Sequence, residues 1–119
     1  MALTDAAKNL MLDALAAAAD YVSLHSADPG GTGANEISGG TPAYARQSVS
    51  WVGASGGVLT AATQPVLDVG AGTTVAYGGL WSDVGGGTFY GSALLVTEVF
   101  GAQGTYTITS ITVTASDPA

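Results

Sequence analysis

The chain has 119 residues, room for a single hydrophobic core, with 47% hydrophobic and only 9% charged residues against roughly a quarter charged in ordinary globular proteins. Its two basic residues, Lys8 and Arg46, face nine acidic ones, for a net charge of −7, which excludes the cation clusters that hold nucleic acid or anionic lipid. No apolar run approaches the roughly 18 residues of a membrane span, and the absence of cysteine excludes disulfides, thiolate metal sites and a cysteine nucleophile.

The first predicted element is a helix over residues 4–19, with Thr4 as its cap and Asp5 at the positive end of its dipole. Asp5, Asn9 and Asp13 recur every four residues as a thin polar stripe, and Leu10, Met11, Ala14 and Leu15 occupy much of the remaining circumference. Such a helix is expected to lie on its own sheet, with a neighbouring subunit as a second source of cover for Leu10 and Met11. The start of the chain lacks the basic and long apolar segments of a secretory signal, so synthesis in the cytoplasm without export is expected.

Residues 21–25 alternate and predict a short strand. Residues 26–42 then change to Asp-Pro-Gly-Gly-Thr-Gly-Ala-Asn-Glu and Ser-Gly-Gly-Thr-Pro, a long loop of turn formers. Loops of this length in small domains are commonly functional or interface-forming. From Tyr44 the period is two, with glycine-rich punctuation, and strands are expected at about 45–52, 57–62, 65–69, 73–82, 88–99 and 104–115. The apolar phase slips by one residue near Ser110, which predicts a β-bulge there. Gly78-Gly79 interrupts its strand, suggesting a bend or close approach by another backbone or a large ring. The fold expected for residues 1–119 is one α+β domain: an N-terminal helix on an antiparallel β-sandwich spanning about 44–116, jelly-roll-like in arrangement.

A search of these elements for chemistry finds no catalytic, cofactor or metal constellation. His25 is the sole histidine, near Ser23, Ser26 and Asp28, but three members of a triad within six residues of a strand and its turn rarely point at one another. Asp28, Asn35 and Glu36 offer oxygen ligands without the spacing of a calcium loop. Gly53-Ala54-Ser55-Gly56-Gly57 lacks the lysine and the strand-to-helix context of a phosphate loop. No carboxylate pair stands out for glycoside hydrolysis. Trp51 and Trp81 read as core or interface anchors. Arg46, the sole arginine, must find a carboxylate, in its own chain or across an interface.

Several segments together resemble a family of small virion proteins of tailed phages, many of actinobacteria. They are Asp5-Ala6-Ala7-Lys8-Asn9-Leu10, Val22-Ser23-Leu24-His25-Ser26-Ala27-Asp28-Pro29-Gly30, Gly33-Ala34-Asn35-Glu36, Tyr44-Ala45-Arg46-Gln47, Val69-Gly70-Ala71-Gly72-Thr73-Thr74-Val75, Leu80-Trp81-Ser82 and Gly87-Thr88-Phe89-Tyr90-Gly91. The resemblance implies a non-enzymatic, self-associating structural component of a virion assembled in the host cytoplasm. A minor tail or tail-fibre role comes first, then a capsid decoration protein bound as trimers, then a module for host cell-wall glycan. Its partners would be copies of itself and a tail or major capsid protein. No catalytic residue is carried over. Its motifs suggest that His25 and Asp28 hold the two ends of the long loop while Arg46 reaches an acid within it. His25, Asp28, Glu36, Arg46, Leu10, Met11 and Trp81 are therefore the loop-fixing or interface candidates.

Overall fold

The computed structural model describes residues 1–116. Helix α1 spans Asp5–Ala18, and the Thr4 hydroxyl accepts from the Ala7 backbone N–H at 3.2 Å, satisfying one of the orphan donors of the first turn. At the other end the Trp51 indole donates to the Ala19 carbonyl at 2.9 Å. Among the described residues nine strands follow: β1 (Tyr21–His25), β2 (Gln47–Ser48), β3 (Trp51–Ser55), β4 (Val58–Ala61), β5 (Val66–Val69), β6 (Thr73–Trp81), β7 (Phe89–Phe100), β8 (Gly104–Thr107) and β9 (Thr112–Thr114).

All pairings are antiparallel, in the orders β2-β1-β6-β7, β3-β4-β9 and β5-β8. The chain thus forms the expected helix and antiparallel sandwich, with strands divided as four, three and two rather than as the two four-stranded sheets of a regular jelly roll. The β5-β8 ribbon packs over the four-stranded sheet. Leu67, Val69, Tyr106 and the following Ile108 meet Val22, Leu24, Val75 and Phe100 in one buried cluster.

Two stretches expected as single strands each change sheets partway. The stretch at 45–52 becomes β2, paired with β1, and β3, paired with β4. The stretch at 104–115 becomes β8, paired with β5, and β9, paired with β4. The phase slip near Ser110 marks this second crossing and is a break in the strand rather than a bulge. Where a strand leaves one sheet for the next, the side that faces the core must change. Bulges do occur, in the β6-β7 pairing between Val75 and Tyr77 and between Leu80 and Trp81.

The helix docks by its polar stripe. Asn9 Oδ1 accepts from the Gly57 backbone N–H at 2.9 Å, and Asp13 Oδ1 accepts from the Ala54 N–H at 2.8 Å. These donors lie along the β3-β4 hairpin, whose two-residue turn Gly56-Gly57 has both φ values positive, 60° and 75°, as a type I′ hairpin requires. Only Leu12 of the helix is buried, while Leu10 and Met11 are 74% and 50% exposed. Periodicity alone places the carboxylates outward. The Ala54 N–H of β3 and the Gly57 N–H of its turn need acceptors, and Asn9 and Asp13 supply them while Asp13 stays exposed.

If the stripe docks the helix, Asn9→Ala and Asp13→Ala should each lower stability by about 1 kcal/mol. Leu10→Ala should stay within about 0.5 kcal/mol. Urea unfolding of the three variants checks this, and a larger loss at Leu10 would mean that the helix packs by its apolar side.

Candidate functional site

The long loop between β1 and β2 returns to the sheet. Its first half turns on Asp28-Pro29-Gly30: the Gly30 N–H donates to Asp28 Oδ1 at 2.9 Å, and Asn35 Nδ2 donates to the Asp28 carbonyl at 3.1 Å. The Ser26 N–H donates to the Asn35 carbonyl and the Ile37 N–H to that of Leu24. This places Glu36 opposite His25 as an isolated antiparallel bridge. Farther on, the Gln103 side chain accepts from the Thr41 N–H at 3.0 Å and donates to the Pro42 carbonyl at 3.1 Å.

Glu36 meets Arg46 in a two-pronged pair. Arg46 Nε and Nη2 donate to Glu36 Oε2 and Oε1, each at 2.9 Å. Arg46 Nη1 donates to the carbonyls of Asp83 and Gly86, at 2.9 and 2.8 Å, tying down the loop before β7. The guanidinium carbon lies 3.7 Å from the centre of the Trp81 ring, a cation–π contact strengthened by burial. Tyr44 Oη donates to Glu36 Oε2 at 2.6 Å and accepts from the Leu24 N–H at 3.1 Å.

Beneath Trp81 runs a second relay. Its indole N–H donates to Ser23 Oγ at 2.9 Å, and Ser23 Oγ lies 2.7 Å from His25 Nε2. His25 Nδ1 lies 2.8 Å from the Ala34 carbonyl, which only accepts, so the Nδ1 proton points there, leaving Nε2 to accept from the Ser23 hydroxyl. Every polar group in the relay then has one directed partner. Two glycines make room for it. A Cβ at Gly33, where φ is 76°, would collide with the Trp81 ring, and one at Gly79 would stand 2.5 Å from Ser23 Oγ and 2.9 Å from His25 Nε2.

Burial holds His25 below its ordinary value of 6.5 and Arg46 lowers it further, outweighing the Ala34 hydrogen bond and the Glu36 charge. Burial works to raise Glu36, but hydrogen bonds from Arg46 and Tyr44, with the Arg46 charge, bring it below its ordinary 4.5. Burial, then the bond to Glu36, pushes Tyr44 far up. The hydrogen bond to Glu36 raises Arg46 against the effect of burial.

The structure therefore brings together Glu36, Arg46, Trp81 and His25. Asp28 lies within the loop's own turn, away from the relay. Leu10 and Met11 stand on the exposed helix face, outside this cluster. Sequence reasoning missed Tyr44, Ser23, Gln103 and the carbonyls of Asp83 and Gly86. Tyr44 had a signal, since it lies two residues from Arg46. Gln103 had none in its Gly-Ala-Gln-Gly turn. Chemically the cluster is a clamp. Ser23 and His25 are wholly buried, and the Ser23 hydroxyl is spent between an indole and an imidazole, so this pair offers no reachable nucleophile. Among the described residues no group of three or more metal-ligating side chains converges, and no helix is long and apolar enough to cross a membrane.

Arg46→Ala leaves Glu36 partly buried without its partner and should lower stability by about 3 kcal/mol. Arg46→Lys should recover less than half, since an ammonium cannot reproduce the fork or the stacking. Urea unfolding of both variants measures this, and full recovery by lysine would reduce the pair to simple charge.

Both titrating groups make the fold acid-sensitive. His25 has a lowered folded value, so its contribution is present above about pH 6.5 and is lost as pH falls toward that lowered value. Glu36, lowered from 4.5, contributes above that pH and loses its contribution on further acidification. Melting followed from pH 7 to 3 should show two successive declines, and His25→Gln should flatten the first while leaving the second.

A family model described as podophage GP4 fiber I protein gp80 matches residues 2–116. No curated protein matches the chain. The matched span takes in the helix, the clamped loop and every strand, so the chain belongs to the podophage GP4 fiber I protein gp80 family.

Proposed function

We propose that this chain is a non-enzymatic building unit of a tailed-phage virion, placed in a fibre or other tail-associated structure and repeated there by self-association. The observation that carries this reading is the match to a phage fibre family over residues 2–116. A match of that extent involves the whole fold rather than a motif grafted onto it. Composition supports it independently, since a surface with 9% charged residues overall is desolvated cheaply when copies meet. The fibre description favours tail attachment over capsid decoration, and other virion proteins would anchor the assembled unit.

In this reading the clamp has a mechanical role. A glycine-rich loop exposed on a virion must keep its shape without a large core beneath it. His25, Asp28, Glu36 and Arg46 fix it through hydrogen bonds that need no metal or partner to form. Trp81 is the platform on which Arg46 lies.

Antibody labelling of purified virions in the electron microscope tests the placement. Label confined to tail appendages is the expected result. Label spread over the capsid shell would replace this placement with decoration, and absence of the chain from washed virions would remove the structural role altogether.

A further inference from the structure

Strand β7 differs from the rest of the surface. It runs for twelve residues and, among the described residues, forms a ladder with β6 alone, the Val96 carbonyl also accepting from the Tyr106 hydroxyl at 2.7 Å. Tyr90, Leu94, Val96 and Val99, four of the exposed large hydrophobic side chains, all lie on it, the last three at 72%, 84% and 72% exposure. Glu98 is its one charged residue. Edges of this length are ordinarily blunted by lysine, proline, inward charges or bulges; β7 has two bulges and none of the other devices.

Beside these protruding side chains lies a recess. The sandwich is open between β7 and the segment around β9, leaving an apolar groove of about 360 Å³ whose walls include Leu80, Tyr90, Leu94, Leu95, Ile111 and Val113, with Leu94 at its rim on β7. One surface therefore carries both aliphatic knobs and a hole to receive them. A contact between identical surfaces related by a two-fold axis needs that combination.

Charge points to the same occupant. The chain carries −7 overall, so two copies repel wherever their acids approach, and Arg46 is already committed to Glu36. Copies meet at least cost where charge is nearly absent, and β7 is such a strip. With three of its residues taken up in bulges, β7 spans the nine-residue length of β6, about 30 Å, and a strip about 15 Å wide covers on the order of 450 Å² per copy, or about 900 Å² in total, close to the ~1,000 Å² of a specific interface.

We propose that β7 and the adjoining groove form the contact between two copies of this chain, the Leu94 and Val96 side chains of each entering the groove of the other. This rests on the self-association proposed above and names its surface.

The test uses the full chain and light scattering coupled to size exclusion. Wild type should elute as a defined oligomer, Leu94→Lys and Val96→Lys should shift to the mass of one chain with unchanged circular dichroism, and Leu10→Lys, equally exposed on the helix, should leave the mass unaltered. Because the chain has no cysteine, Val96→Cys and Leu10→Cys provide a second readout that does not depend on tolerating a buried charge. A short bis-maleimide should join copies through position 96 and not through position 10. An oligomer that keeps its mass in both lysine variants and fails to cross-link at 96 would overturn the β7 assignment while leaving self-association standing. A wild type that stays monomeric at every concentration would overturn both.

Discussion

The fork between Arg46 and Glu36 is the constraint on which the upper half of the molecule depends. A chain with nine acids and one arginine has a single guanidinium to spend, and it spends it where three segments converge. Glu36 brings the long loop, Asp83 and Gly86 bring the turn before β7, and Trp81 brings the end of β6. The end of β6 is held by its ladders to β1 and β7, and the other two segments are tied to it through the ion. Hydrogen bonds to a charged group are worth about 1.5–3 kcal/mol, and here they share one planar ion, so loss of the ion removes the ties of the loop and of the turn at once.

The relay beneath it follows the same economy. Trp81 stacks on Arg46 with its face and donates to Ser23 with its edge, so the polar and aromatic layers are joined through one side chain. Phe89 closes the arrangement, with its ring 5.0 Å from Trp81 and 6.1 Å from His25 between centroids. Gly33 and Gly79 are small because this stack occupies the space where their side chains would stand. Among the described residues no buried side-chain nitrogen or oxygen lacks a partner. A small domain with a buried histidine, serine and ion pair can carry them only on that condition.

Much of the fold was legible because local signals were strong. Thr4 capped a run of alanine and leucine, glycine pairs marked the turns, and alternation marked the strands. The class of fold followed, as did the tie between Arg46 and a carboxylate. What was not legible were relations across distant segments. Nothing in the spacing of Asn9 and Asp13 says that they face the hairpin at Ala54 and Gly57, because a polar stripe ordinarily faces water. The crossing at Ser110 was visible as a slip of phase, yet a bulge and a change of sheet leave the same trace in sequence. Tyr44, read as the start of a strand, acquires its role only when the loop carries Glu36 back to it.

These long-range relations also explain why the surface is inverted in two places. The helix spends Asn9 and Asp13 on the hairpin backbone, and Leu10 and Met11 stand outside. The two strand breaks divide the sandwich into sheets of four, three and two strands, and a two-stranded ribbon is too narrow to cover all of a four-stranded sheet. The β5-β8 ribbon covers Val22, Leu24 and Val75. The outer strand β7 is three residues longer than β6 (twelve against nine), yet its ends pair with the ends of β6, so the extra residues are taken up in its two bulges. Leu94, Val96 and Val99 stand exposed on this bulged strand, outside the buried cluster. A full-length opposing strand would have buried them, with each side chain contributing about 1.5–3 kcal/mol. Within a single copy the fold leaves that contribution unused, and the apolar strip on β7 stands open to an opposing surface.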